Sequence, residues 1–310
     1  MRLLERVLAQ ITRRWRFPGA ERFVQMIASP NRNKMCVDLP SLYGKNRIQI
    51  DSDSYLERFY FFFGGNEPEV AHLIPRWLPP DGVAIDVGAN IGLFTLVMAH
   101  TVKSGKGRVI AAEPDIQVFE RLQQHLMMNG VDSVLLIKAA LGSEAGRLIL
   151  HTYRTDTPNG GGATLAPVQA GDARTIAIEI PVHTLDDITR EQRLKRLDLI
   201  KIDTEGWDFN VLRGGIEAIR RFQPAIIFEY TRGGWSAAHA SPEEAKRWLV
   251  DLGYDLYLIR RRRFLPLSHW IPPRIIPLSG HFPTSCNLAA LPASRVVELC
   301  TKLGIPPRTC

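Results

Sequence analysis

Two groups of residues in this chain are of a type and spacing that could do chemistry. The first is Asp86-Val87-Gly88-Ala89-Asn90-Ile91-Gly92, joined by Glu113, 25 residues after Gly88. Gly88 and Gly92 let a backbone turn tightly and approach a ligand with no Cβ in the way. A dinucleotide turn needs G-x-G-x-x-G, so that helix amides face a pyrophosphate. Counted from Gly88, its second and third glycines fall on Asn90 and Leu93. Asp86, expected to face the pocket, would repel phosphate but suits a cationic amino-acid head group. S-adenosylmethionine has such a group, no phosphate and a positive sulfur. Glu113 could accept both ribose hydroxyls of an adenosine. Plainer uses stand beside these: Asp86 as an N-cap, Glu113 as a solvated loop carboxylate before Pro114.

The second group is Asp203 and Glu205, within Asp198-Leu199-Ile200-Lys201-Ile202-Asp203-Thr204-Glu205-Gly206. A carboxylate at a strand end can take the proton of an alcohol as a new carbon–oxygen bond forms, an effect worth ~10²–10⁴-fold. The same residues could instead cap a following helix, Asp203 or Thr204 as N-cap and Glu205 and Asp208 in its first turn. Asp203, Glu205 and Glu229 could also hold a divalent cation, but no histidine stands at ligand spacing with them. We expect no metal. His151, His183 and His281 fall in segments that could border an acceptor.

Both groups need a rigid frame. From Val83 onward, short apolar runs alternate with amphipathic helices. Strands are expected at Val83–Val87, Arg108–Ala112, Val134–Ile137, Leu197–Ile202, Ala225–Glu229, Tyr254–Ile259 and Cys286–Leu291, and a helix at Pro242–Leu252. That alternation predicts an α/β fold with a doubly wound, mostly parallel sheet. About Gly142–Ile188, with Leu148–Leu150, Gly160-Gly161-Gly162 and the alternating Thr175–Ile180, reads as an inserted hairpin-like excursion. Residues 1–80 form a basic and aromatic extension, irregular from 30 to 80, in which Tyr60–Phe63 before Gly64-Gly65 plug it onto the main domain. Residues 81–293 form that domain and 294–310 a tail, with a turn at Pro79-Pro80-Asp81-Gly82 between the first two.

Composition bounds the rest. The chain has 310 residues, 45% hydrophobic and 23% charged, and no run near the ~20 apolar residues of a membrane helix. The four cysteines form no CxxC pair, and no signal-peptide core is present, which together suit the cytosol. Residues 1–50 carry ten Lys/Arg against three acids, so the whole net charge of +7 lies there. Within that arm, Leu3, Leu4, Val7, Leu8, Ile11 and Trp15 form a stripe opposite Arg2, Arg6, Gln10 and Arg13. Such a helix either packs on the domain or lies on an anionic membrane through residues 2–16, at its inner face. Arg260–Arg263, with Phe264, Trp270 and Ile275-Ile276, is a second basic-aromatic cluster. The neutral remainder argues against nucleic acid as a partner.

The two motifs, with Glu113-Pro114-Asp115, Ala140-Leu141-Gly142, Thr184-Leu185-Asp186-Asp187, Leu212-Arg213-Gly214-Gly215 and Pro224–Glu229, resemble the FkbM family of S-adenosylmethionine-dependent methyltransferases over roughly residues 83–260. Trp207 departs from the family pattern, where a smaller residue is commoner. The resemblance implies a seven-stranded Rossmann-like sheet with the strand of Asp203 beside that of Asp86. It further implies O-methylation of a hydroxyl on a carbohydrate, glycolipid or polyketide-like acceptor. On that reading Asp86, Gly88, Asn90, Gly92, Glu113 and Ala140 hold S-adenosylmethionine, and Asp203 and Glu205 face the acceptor. Two other readings share the strand-end acid and glycine turn: an NAD(P)-dependent oxidoreductase on a sugar nucleotide, and a membrane-bound, non-catalytic relative of the methyltransferase fold.

Overall fold

A computed structural model of the chain describes residues 3–14, 19–20, 22, 24, 34–52, 54–153, 175–261 and 272–303. Arg2, Trp15, Arg16, Gly160–Gly162, Arg262–Arg263, Phe264 and Trp270 lie outside the described residues. Helix α1 (Leu3–Arg14) precedes a hairpin of β1 (Lys34–Asp38) and β2 (Arg47–Asp51), then α2 (Tyr55–Phe63) and α3 (Pro68–Trp77). Next come β3 (Val83–Val87), α4 (Leu93–Val102), β4 (Arg108–Ala112), α5 (Ile116–Met128) and β5 (Val134–Ile137). The excursion holds β6 (Ala140–Leu141), β7 (Gly146–Tyr153) and β8 (Thr175–His183). The chain continues through α6 (Leu185–Glu191), β9 (Leu199–Ile202), α7 (Asp208–Arg213), α8 (Ile216–Phe222), β10 (Ala225–Thr231), α9 (Arg232–Ala237) and α10 (Pro242–Asp251). It ends with β11 (Tyr254–Arg260), β12 (Arg274–Pro277), β13 (Ser285–Pro292) and α11 (Val296–Thr301).

The main sheet runs in the order β12-β11-β13-β10-β9-β3-β4-β5. Neighbours from β5 to β10 are parallel; β13 is antiparallel to β10 and β11, and β12 to β11. Among the described residues this makes eight strands where seven were expected. The additional one is β12, whose Arg-Ile-Ile-Pro sequence buries only Ile275 and ends in a proline that confines it to an edge. Ile275 and Ile276 are therefore edge-strand residues. Successive residues of the central strands enter cores on opposite faces: Ala84, Val109 and Leu199 on one, Ile85, Ile110 and Ile200 on the other. Chain order reverses at β3, which has β4 on one side and β9 on the other, and a crevice outside the strand ends opens at such a point. The excursion forms its own sheet, β6-β8-β7, with β7 antiparallel and β6 parallel to β8.

Residues 34–77 are regular where irregular chain was expected. Two signals were present: Ile48 and Ile50 alternate with polar residues, and Ser54-x-x-Glu57 is a capping box whose Ser54 hydroxyl accepts from Glu57 N. Val37, Ile48, Ile50, Leu73 and Trp77 share the core of one sheet face, and Trp77 Nε1 donates to Leu299 O in α11. Cys36 and Cys286 are free thiols, whereas Cys300 in α11 is half of a disulfide that the cysteine spacing did not foretell.

Helix α1 divides its apolar stripe. Leu8 and Ala9 pack with Phe62 and Phe63, while Val7 and Ile11 are each 46% exposed. Arg13, expected on the polar face, instead turns inward. Its guanidinium donates to Phe61 O at 2.8 Å, Tyr60 O at 3.3 Å and Asp38 O at 3.3 Å, the first two carbonyls of the last turn of α2, where Tyr60 O also accepts from Gly64 N. No helix among the described residues is long and apolar enough to cross a membrane. Arg13→Met keeps the packing stem and removes these bonds, each worth roughly 1.5–3 kcal/mol for a charged donor. Amide exchange in residues 3–14 should accelerate at least tenfold, with no change in β3 or β9; unchanged exchange in α1 would refute the clamp.

Candidate active site

The turn after β3 is closed by its own hydrogen bonds. Gly88 N and Ala89 N both donate to Ala112 O, Asn90 N to Glu113 Oε2, Ile91 N to Asn90 Oδ1 and Gly92 N to Ala89 O. All five amides are thus engaged inside the protein, and none is left to face a phosphate. The glycines make the tight turn expected of them and serve a second need as well. Gly88 and Gly92 have φ of 71° and 95°, and an added Cβ would lie 1.9 Å from Asp203 O or 2.5 Å from Leu122 Cδ1. Positive φ and the approach of the chain to itself demand glycine there. Asn90 also takes a positive φ, of 50°.

Glu113 is 6% exposed and not a solvated loop residue. Oε2 accepts from Asn90 N at 2.8 Å and Oε1 from Asp115 N at 3.0 Å, so each oxygen keeps a second acceptor direction. Burial pushes the carboxyl up to about 7, against the two amides that favour its charge. Asp115 caps α5 through Gln117 N and accepts the hydroxyl of Thr152 in β7, which ties the excursion to the Glu113 loop.

Asp86 neither caps α4 nor faces an opening. It is fully buried, accepts from Thr95 Oγ1 at 2.6 Å and stands 3.5 Å from Lys201 Nζ, with Oδ1 lacking a hydrogen bond. Lys201 is its partner across the β3–β9 register. The Lys201 ammonium lies 3.3 Å from Asp203 Oδ2 and 3.4 Å from Gly88 O, above the Phe94 ring. It satisfies the carboxylate that the sequence reading had reserved for a ligand's head group. Burial opposes its charge, but Asp203, Asp86 and Glu67 outweigh that and hold it above the ordinary lysine value. Its trace in the sequence is a single charge within the buried run Leu199–Ile202. Ala140 packs its methyl with Leu150, Ile180 and Val182, which leaves only its backbone for a ligand.

Beyond β9, neither Asp203 nor Thr204 caps α7. Trp207 occupies that position, and Asp208 supports the turn: its Oδ2 accepts from Thr204 Oγ1 and Gly206 N, and its Oδ1 from Glu229 N. Asp203 and Glu205 do reach one site, joined by Glu229 from β10 and by Glu67, which the sequence reading missed. Glu205 has a φ of 53° and keeps an exposed face. Burial and Asp203 raise it to about 6, and burial with Asp203 raises Asp208 to about 7. Burial and the charge of Asp203 raise Glu67 to about 7 and Glu229 to about 9, and Glu67 raises Glu229 further. His281 stands apart, exposed beside Glu243.

Residues 86–256, from the buried Asp86 past both motifs, match the Methyltransferase FkbM domain. The chain belongs to this family. Methyltransferase sdnD of Sordaria araneosa is 29% identical over 58% of this chain and 76% of its own length. Methyltransferase 1 of Beauveria bassiana is 31% identical over 44% of this chain and 59% of its own length. The hexuronic acid methyltransferase AglP of Haloferax volcanii is 23% identical over 52% and 61%. The match to the last two thus covers about three-fifths of their length. Family membership makes this FkbM chain a methyltransferase on a Rossmann-like sheet and displaces the oxidoreductase and non-catalytic readings.

The buried Asp208 gives this methyltransferase a signature in its stability. With a folded-state value near 7 against an ordinary 3.8, the folded state binds the proton more tightly, so this carboxyl's contribution is complete at acid pH and declines as pH rises to 7. In urea unfolding between pH 5 and 7, Asp208→Asn should flatten the fall of stability by about 1 kcal/mol per pH unit. An unaltered slope would show that Asp208 is ionised throughout.

Proposed function

We infer that this methyltransferase transfers a methyl from S-adenosylmethionine to a hydroxyl of a carbohydrate-type acceptor in the cytosol. The observation that carries this is the pairing of a glycine turn whose amides are all engaged with a Glu113 carboxylate that still has acceptor directions free. A pyrophosphate finds no free amide among Gly88–Gly92, whereas an adenosine ribose finds its acceptor in Glu113. Glu113 would hold the ribose hydroxyls, Gly88, Asn90 and Gly92 the wall beside them, and Ala140 would contribute its backbone. When bound, S-adenosylmethionine supplies an electrophilic methyl on a positive sulfur.

Glu205 then has the properties of the proton acceptor. It is accessible, has no hydrogen bond that would lower its basicity among the described residues, and at about 6 is ionised at neutral pH. Asp203, ion-paired with Lys201, orients the acceptor hydroxyl. That one relative bears a name for methylation of hexuronic acid supports a sugar ring as acceptor. Contact of residues 2–16 with an anionic membrane is a lesser part of this reading. It rests on the exposed Val7 and Ile11, since Arg13 is engaged elsewhere.

Calorimetric titration should show S-adenosylmethionine binding to the wild-type chain, weakened at least tenfold by Glu113→Ala, since a charge-assisted bond is worth roughly 1.5–3 kcal/mol. Folded protein that takes up no S-adenosylmethionine would sink the proposal. Glu205→Gln should lower turnover 10²-fold or more with cofactor affinity kept, and wild-type turnover should climb as pH passes 6. Equal loss of cofactor binding in Glu205→Gln and Glu113→Ala would mean that Glu205 serves the cofactor instead.

A further inference from the structure

Glu67 lies outside the family domain, in the turn between α2 and α3, and the turn is built to aim it. Gly64 has φ 75° and Gly65 φ 150°, and a Cβ on Gly65 would lie 2.3 Å from the Tyr43 ring. Tyr43 Oη donates to Asn66 O at 2.7 Å, which fixes the next peptide. Glu67 itself takes φ 44°, a left-handed conformation rare for glutamate and directly before a proline. Strain of this kind persists only where the surroundings impose it, and it gathers at functional sites.

The side chain ends where the C-terminal end of β10 meets the N-terminal end of β13. Asn287 Nδ2 donates to Glu67 Oε1 at 2.6 Å, and Asn287 is the register partner of Glu229 across β13–β10. Glu229 lies close enough to Glu67 for the charge of Glu67 to raise its affinity for a proton, and Asp203 acts on both. Each of Glu67, Asn287 and Glu229 keeps partial exposure. Lys201, the cation beside them, is held between Asp86 and Asp203.

We propose that Glu67, Asn287 and Glu229 form the hydroxyl-gripping wall of the acceptor site, and that this wall selects an uncharged sugar over an acidic one. Two neighbouring carboxyl groups with an amide between them accept from vicinal hydroxyls and donate back through a retained proton. A carboxylate on the sugar would face the ion-paired Asp203 and the ionised Glu205 with Lys201 already engaged, and like charges repel strongly in a partly desolvated site. The inference rests on the reading of this crevice as a methyltransferase acceptor site. It adds that residues before the family domain set the substrate class.

The test uses the full chain saturated with S-adenosylhomocysteine, titrated with methyl glycosides of glucose, galactose and mannose and with the corresponding uronates. At least one neutral glycoside should bind tenfold or more tightly than its uronate. Glu67→Gln should weaken that binding at least tenfold while leaving the Kd for S-adenosylhomocysteine within twofold. Glu67→Asn, which accepts the left-handed backbone but is one methylene shorter, guards against misfolding and should behave alike. Uronates binding as well as neutral sugars, no neutral glycoside binding to the loaded protein, or both variants leaving neutral affinity unchanged would each overturn the proposal. Failure of S-adenosylhomocysteine itself to bind would instead overturn the cofactor reading.

Discussion

A buried ammonium is tolerated only among anions, and Lys201 has Asp86 on one strand and Asp203 on its own, with Gly88 O completing the cradle. This contact joins β3 to β9, parallel neighbours at the point where strand order reverses. Breaking such a pair by removing one partner leaves a bare charge inside the protein and typically costs 3–5 kcal/mol. With Lys201 neutral, Asp86 would be an unpaired carboxyl under the glycine turn, and Asp203 would lose its ion pair. The floor of the crevice is therefore electrostatic, while the walls are held by packing and amide hydrogen bonds.

From that floor the two halves of the site divide their labour by dielectric environment. On the β4 side, Glu113 is enclosed and both oxygens are held by backbone amides, so its geometry is fixed before any ligand arrives. Across the sheet, Asp203, Glu205, Glu229 and Glu67 crowd one edge, where burial and the charge of Asp203 raise the proton affinity of Glu205, Glu229 and Glu67. Such a cluster can both accept and donate hydrogen bonds near neutral pH, which a set of isolated, fully ionised carboxylates cannot.

Much of this was legible in the residues, and the gaps have physical reasons. The strand–helix alternation located the parallel strands because two-sided burial requires unbroken apolar runs. Asp86, Glu113, Asp203 and Glu205 stood out because charges at the ends of such runs are conspicuous. What local sequence conceals is partner choice over long separations. Asp86 looked like a ligand-facing acid because nothing nearby in the chain announces Lys201 as its counter-ion. Glu67 was invisible for the same reason: its meaning comes from Asn287, far along the chain on β13. Gly88 was marked as a tight-turn residue, which it is, but the Asp203 carbonyl packed against it comes from too far along the chain to be read locally. The extension was misjudged as irregular because its aromatic run hid a capping box and a half-buried hairpin.

The place of β3 between β4 and β9 also has a meaning for a chain emerging from the ribosome. β3, β4 and β5 are synthesised in succession and can pair as they appear. The other edge of β3 stays open while more than a hundred further residues, including the whole excursion, are made. Throughout that interval Asp86 has no lysine, Gly88 has no carbonyl packed against it, and an apolar strand edge is exposed to other chains. The nascent polypeptide thus passes through a vulnerable half-sheet, and its cofactor crevice closes in one late event, when Leu199–Ile202 is delivered to its seat.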